Sequence, residues 1–390
     1  MRQIKGSYPS APAQRGSHPN VAFRNVYGLN SSPFASLAFL WPALVAESAS
    51  EIASAAAREF ANLAVGPQPE ESERQPEWTT ANRVALELPT LRLRDFAAGS
   101  DVPTLICAPF ALHGATITDF APHHSLVAAL LAAGLGRVFA TDWRSASPDM
   151  RFLSIDSYLA DLNVAVDELG GRVHLVGLCQ GGWMALIYVA RFPGKIAKLV
   201  LAGAPIDLAA GNSKLSELAR ETPVAIFREL VELGGGRLLG RHALRFWAPD
   251  FPDPNAIREL LQSSHPTTSA AFRPLESRFR EWFAATLDLP GTYYLQVVEH
   301  LFKENRLAKG RFVALGRKVD LFDLRCPIFL LAAREDDVVA PAQIFATEHL
   351  VNARHCPVEK AVTPCGHLGL FMGRQILTDV WPNIARWLLR

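Results

Sequence analysis

The sequence has 390 residues, enough for two or three units of ordinary size or for one α/β core that carries an inserted subdomain. Hydrophobic residues make up 49% and charged residues 20%, which excludes an intrinsically disordered chain. With 39 Lys plus Arg against 38 Asp plus Glu and a net charge of +1, nothing in the composition attracts a polyanion, and nucleic-acid binding is not expected.

In chain order, residues 1–32 read as a polar arm. Residues 33–46 are apolar but contain Pro42 and fall short of the roughly 20 residues that span a bilayer. Residues 48–65 are Ala-rich with interspersed charge and read as an amphipathic helix, and residues 66–78, rich in Pro, Glu and Gln, read as a linker. Residues 1–80 are therefore assigned to an N-terminal arm. The first twenty residues lack the apolar stretch of a secretory signal. The five cysteines are odd in number and scattered, unlike a disulfide framework, so a reducing, cytoplasmic setting is expected.

From residue 82 onward, short β-branched or Leu-rich runs at 84–88, 104–108, 137–141, 173–176, 198–202, 327–333 and 358–362 read as strands. Several are apolar throughout, as strands covered on both faces are. Between them, Ile155, Tyr158, Leu159, Leu162, Val166 and Leu169 recur at helical spacing, and residues 125–133 and 182–191 behave alike. The alternation predicts an α/β fold with a mostly parallel central sheet flanked by helices, its core formed by residues 81–206 and 290–390. It lapses over 207–289, where helical stretches and aromatics accumulate, and this segment is read as an inserted helical cap. The cap aromatics can be ordinary core or the wall of an apolar acyl-chain channel. Trp143, Trp247 and Trp282 are the expected substrate contacts.

The chemistry concentrates at Gly177-Leu178-Cys179-Gln180-Gly181-Gly182, an apolar strand running into an apolar helix through Gly-x-Cys-x-Gly-Gly. This spacing predicts a nucleophile elbow with sulfur in place of oxygen, its glycines letting strand and helix backbones approach. It places Cys179 at a helix N-terminus, where free N–H groups and the helix dipole stabilise negative charge. An α/β-hydrolase triad needs an acid and then a histidine later in the chain. Asp336 follows the apolar run 327–333, with its neighbour Asp337 as the alternative acid, and His367 follows the last predicted strand. The predicted roles are nucleophile for Cys179, base for His367 and orienting acid for Asp336. Gln180 and Leu112 N–H groups are the expected oxyanion donors, Leu112 lying in the loop after 104–108. His113 and His174 are read as structural. No Cys/His spacing matches a metal site, and no Gly-rich nucleotide loop is present, so neither a metal nor a cofactor is expected.

These residues resemble the polyhydroxyalkanoate synthases and the related intracellular polyhydroxyalkanoate depolymerases, α/β-hydrolase-fold enzymes with a catalytic Cys. The likeness spans most of residues 100–390. Gly177-Leu178-Cys179-Gln180-Gly181-Gly182 looks like the synthase lipase-like box, and Glu304-Asn305-Arg306-Leu307 with Val319-Asp320-Leu321 looks like the synthase segment before the catalytic Asp. Two features depart from that pattern. Asp337 stands where synthases commonly carry His, and Gly366-His367-Leu368-Gly369-Leu370-Phe371 resembles the depolymerase ending. The resemblance implies Cys-dependent acyl transfer on 3-hydroxyacyl esters or thioesters, leaning to polymerisation of 3-hydroxyacyl-CoA, with ester hydrolysis as the alternative. A non-catalytic granule coat and a generic thioesterase are further readings. Implied partners are 3-hydroxyacyl-CoA, the polyester, a granule surface and a second copy of the chain in a homodimer.

Overall fold

The computed structural model describes residues 76–390 apart from 97–98, 100 and 249–250. The expected arm, apolar run and amphipathic helix lie outside the described residues, as does the linker up to residue 75.

Eight strands form the central sheet: β1 (Arg83–Glu87), β2 (Leu91–Asp95), β3 (Thr104–Cys107), β4 (Val138–Trp143), β5 (Val173–Leu178), β6 (Ile196–Ala202), β7 (Ile328–Ala333) and β8 (Val358–Thr363). Their order is β1-β2-β4-β3-β5-β6-β7-β8. Every pair from β4 to β8 is parallel, whereas β1 and β2 are antiparallel to each other, and β2 to β4. Apolar side chains cover both faces of the centre: β3 and β5 are buried at every position. Edge strand β1 is largely exposed.

Seven of the eight strands coincide with the expected runs. The exception, β2, reads Leu-Arg-Leu-Arg-Asp, with Leu91 and Leu93 buried and the arginines half-buried. Its signal is alternation, not a continuous apolar run.

Helices fill the parallel crossovers. Helix α1 (Leu126–Ala132) begins at Ser125, whose hydroxyl accepts from Ala128 N–H at 2.9 Å. Helix α2 (Ile155–Glu168) begins at Ser154 in the same way and buries Ile155, Tyr158, Leu159, Leu162 and Val166 along one stripe. Helix α3 (Gln180–Arg191) follows β5 directly and is buried over most of its length.

Between β6 and β7 the chain leaves the sheet. It forms α4 (Lys214–Glu221), α5 (Val224–Leu233), α6 (Gly240–Trp247), α7 (Pro254–Leu261) and α8 (Arg273–Ala284). The excursion continues through α9 (Gly291–Gln296) and a π-helical stretch Val297–Lys303, so residues 290–327 contribute no strand to the sheet. A last helix, α10 (Trp381–Leu389), packs against α1.

The sheet register positions the site. Cys107 of β3 pairs with Gly177 of β5, Leu178 with Ala202 of β6, and Ala333 of β7 with Thr363 of β8. The carboxyl ends of these strands are therefore level, and the loops that follow them share one edge. Strand order also reverses at β3, flanked by β4 on one side and β5 on the other, which opens a crevice there.

Candidate active site

Cys179 sits on the turn between β5 and α3 with φ 48° and ψ −121°, a conformation that β-carbon-bearing residues rarely adopt. The turn is kept sharp by close approach. A Cβ on Gly181 would lie 2.2 Å from the Cys107 carbonyl oxygen, and one on Gly177 would lie 2.6 Å from Gly182 Cα. Any side chain at either position would push α3 away from the sheet. Gln180 opens α3, so its N–H has no intrahelical acceptor and faces the Cys179 end of the turn.

His367 and Asp336 reach the same edge from the loops after β8 and β7. His367 Nδ1–H donates to Asp336 Oδ2 at 2.8 Å. The other carboxylate oxygen accepts from Val338 and Val339 N–H at 3.0 and 2.8 Å, which locks the acid in place. The Asp336 side chain is 1% exposed and that of His367 8%. With Nδ1 engaged, the other edge of the His367 imidazole is left for Cys179, which lines the same cavity. Burial would push the imidazole down, but the Asp336 carboxylate, the charge at Cys179 and their hydrogen bonds outweigh it and hold His367 well above its ordinary value. The arrangement favours a proton on His367, which is what acceptance of a thiol proton needs.

Asp337 points elsewhere. Its carboxylate pairs with Lys214 Nζ at 2.5 Å and is 55% exposed. Of the two carboxylates left open by the sequence, Asp336 is the one that meets His367.

The four remaining cysteines are buried thiols. Burial pushes Cys107 and Cys326 up to about 12 and Cys356 to about 11, and it raises Cys365 as well. Half-buried Cys179 alone among them borders the cavity described next.

That cavity, of about 270 Å³, is bounded by Cys179, Gln180 and His367 on the sheet side. Leu112, His113 and Phe283 line it as well, and α4, α6 and α9 supply Leu215, Leu218, Trp247, Tyr293 and Tyr294. Its surface is largely apolar, which excludes water from Cys179 and suits a hydrocarbon chain. Leu112 stands in this wall beside Cys179, and its carbonyl accepts from Leu287 N–H at 2.8 Å, which fixes the loop after β3.

Of the three tryptophans expected at the substrate, Trp247 lines the cavity, with Nε1–H donating to Tyr294 Oη at 3.2 Å. Trp143 does not line it: its indole is 2% exposed, donates to the Ala108 carbonyl at 2.9 Å and packs on Phe110 and Tyr158. Trp282 does not line it either, being fully buried behind His113 with ring centroids 4.3 Å apart. Both support the wall from behind. Tyr293, Tyr294 and Lys214 border the cavity without having been singled out in the sequence; the signal for the tyrosines was their adjacency after Gly291 at a helix start. Among the described residues, no cluster of three or more His, Cys, Asp or Glu is placed to hold a metal, and no helix is long and apolar enough to cross a membrane.

Residues 266–390 match the family described as PHB de-polymerase C-terminus. The poly(3-hydroxyalkanoate) polymerase subunit PhaC of Synechocystis sp. is 30% identical over 280 residues, covering 70% of this chain and 74% of that protein. The chain belongs to the polyhydroxyalkanoate synthase group. The PhaC subunit of Allochromatium vinosum is 26% identical over 278 residues, covering 70% of this chain and 76% of the relative. Among solved structures, an epoxide hydrolase from Bacillus megaterium aligns with a TM-score of 0.51 at 16% identity, over 78% of this chain and 99% of that one. A monoacylglycerol lipase from Paleococcus ferrophilus aligns with a TM-score of 0.50 at 17% identity, over 77% and 98%. These likenesses establish the α/β-hydrolase fold, and membership of the synthase group makes the chain an enzyme.

The raised His367 value has a thermodynamic consequence. A group held above its unfolded value stabilises the fold fully below that unfolded value, about 6.5, and the contribution fades as pH rises through the folded value. Relative to a His367→Gln variant, the wild type of this synthase-group enzyme is expected to be most stabilised at pH 6 and least at pH 9 in urea titrations. A margin that widens with pH would contradict the pairing.

Proposed function

We propose that the protein is a polyester synthase that polymerises 3-hydroxyacyl groups donated as coenzyme A thioesters, with Cys179 as nucleophile, His367 as base and Asp336 as orienting acid. The observation that carries this reading is the hydrogen bond from His367 to the buried Asp336 carboxylate, with His367 and Cys179 together lining an apolar cavity. Similarity to the PhaC polymerase subunits supports the substrate class.

In the acylation step, Cys179 Sγ attacks the thioester carbonyl while its proton passes to His367. The oxyanion is held by the N–H of Gln180, at the start of α3, and that of Leu112. Collapse expels the coenzyme A thiolate, which takes the proton from His367, and an acyl thioester remains on Cys179. In the second step, the 3-hydroxyl of another acyl unit attacks that thioester. His367 accepts its proton and returns it to the departing Cys179 sulfur, and an ester bond has replaced the thioester. No cofactor takes part. Whether water or a hydroxyl completes the second step depends on access to the thioester, which the apolar walls from α4, α6 and α9 restrict.

The test is incubation of the purified chain with 3-hydroxybutyryl-CoA, and separately with amorphous polyhydroxybutyrate, following coenzyme A, polymer and soluble monomer together. Polymer formed alongside coenzyme A is the expected result. Coenzyme A with free 3-hydroxybutyrate and no polymer, or monomer released from the polyester, would replace polymerisation by hydrolysis.

A further inference from the structure

We propose that Gln343 is a positioning residue that holds helix α4, part of the lining of the acyl cavity, in fixed relation to the loop carrying Asp336, and so limits the length of acyl chain that the enzyme accepts. The inference rests on the acyl-transfer reading above and names a residue that shapes that site without touching substrate.

Gln343 lies in the short helix Pro341–Phe345, just beyond the Asp336 loop, and is 0% exposed. Its side-chain amide bridges two segments. Oε1 accepts from Ala340 N–H at 3.0 Å and from the Ser213 hydroxyl at 3.2 Å. Nε2 donates to the carbonyls of Leu208 and Gly211 at 3.4 and 3.2 Å, and the backbone carbonyl accepts from Asp207 N–H at 3.1 Å. Ala340 directly follows Val339, whose N–H holds the Asp336 carboxylate. Residues 207–213 open the chain's excursion from the sheet, and Ser213 caps α4. One amide therefore joins the acid loop to the start of α4.

An apolar side chain would fill a sealed position without the cost of burying an amide. A buried amide with both ends engaged is satisfied in one arrangement of its partners, so it fixes a register that packing alone leaves free to slide. That register matters because both segments border the cavity, Val338 from the acid loop and Lys214, Leu215 and Leu218 from α4. Two further ties cross the seam. Lys214 N–H donates to the Asp337 carbonyl at 2.8 Å, and Lys214 Nζ pairs with the Asp337 carboxylate, an exposed contact that solvent screens. The far end of α4 is held from within the excursion itself, where Lys303 Nζ donates to the carbonyls of Arg220 and Thr222. Loss of the Gln343 amide lets α4 draw back with those elements from the acid loop, and the cavity between them lengthens.

The experiment is release of coenzyme A from 3-hydroxybutyryl-CoA and from 3-hydroxyoctanoyl-CoA by the full chain, read as the ratio of the two kcat/KM values. A general loss of stability lowers both rates together and leaves that ratio alone. Gln343→Met, which keeps the bulk and removes the hydrogen bonds, is expected to raise the ratio of the longer donor to the shorter by about 10-fold, with the rate on the shorter donor reduced. Ser213→Ala, a milder variant that removes one of the amide's four bonds, is expected to shift the ratio in the same direction by about threefold. Asp337→Asn, which breaks the exposed pair alone, is expected to leave it within about twofold of wild type. An unchanged ratio in Gln343→Met, or in Ser213→Ala should Gln343→Met fail to fold, would overturn the assignment while leaving acyl transfer standing, as would an equal shift in Asp337→Asn. Release from neither thioester by the wild type would overturn the acyl-transfer reading and the inference with it.

Discussion

Cys179→Ala is expected to abolish coenzyme A release from 3-hydroxybutyryl-CoA, lowering the rate by about 10⁴-fold or more, with the fold intact. The reasoning is geometric. The other cysteines are buried, and burial holds their thiols above the usual range, so none can substitute as nucleophile. Alanine removes no buried packing of consequence, because Cys179 is half-buried and faces the cavity. It also leaves the glycines that shape the elbow in place. Circular dichroism and thermal unfolding close to wild type, beside lost turnover, are the expected pair of results. Substantial coenzyme A release by Cys179→Ala would move the nucleophile elsewhere.

The second large effect separates two adjacent carboxylates. Asp336→Asn is expected to lower turnover by about 10²- to 10⁴-fold, because the amide no longer stabilises the His367 imidazolium and can hold the wrong tautomer. Its side-chain oxygen can still accept from Val338 and Val339 N–H, so the loop is expected to remain formed. Asp337→Asn breaks a largely exposed pair with Lys214, an interaction worth about 0–1 kcal/mol, and is expected to change turnover less than about threefold. Initial rates of the two variants measured side by side decide the matter. Equal losses, or the larger loss in Asp337→Asn, would contradict the assignment of the acid.

Much of the fold could be read from the chain because its strands obey a strong constraint. A strand covered on both faces must be apolar at almost every position, so β3, β5, β6 and β7 announce themselves as short continuous runs. Near the edge that constraint relaxes, and β2 alternates leucine with arginine in a pattern that only its antiparallel neighbours make recognisable. The elbow was equally legible, since Gly177 and Gly181 occupy the two positions where a Cβ would strike backbone.

The rest of the site depends on relations that no local pattern encodes. Asp336 and Asp337 occupy one loop, and only the tertiary positions of His367 and Lys214 tell them apart. Aromatic identity marks Trp143 and Trp282 as large apolar bodies, but not which side of the cavity wall they occupy. The wall formed by α9 and the π-helical stretch fell outside the expected cap because the core was read as resuming at residue 290, whereas residues 290–327 stand off the sheet. Lys214 was invisible for the opposite reason: a single surface lysine becomes significant only when α4 is set against the Asp336 loop.

The most direct test of the account is covalent trapping. The chain is mixed with 3-hydroxybutyryl-CoA, quenched in acid within the first turnover, digested and mapped by mass spectrometry. A 3-hydroxybutyryl group on the peptide that contains Cys179, absent from Cys179→Ala, is the predicted result. Coenzyme A release with no adduct on that peptide, or with an adduct on another cysteine, would contradict it.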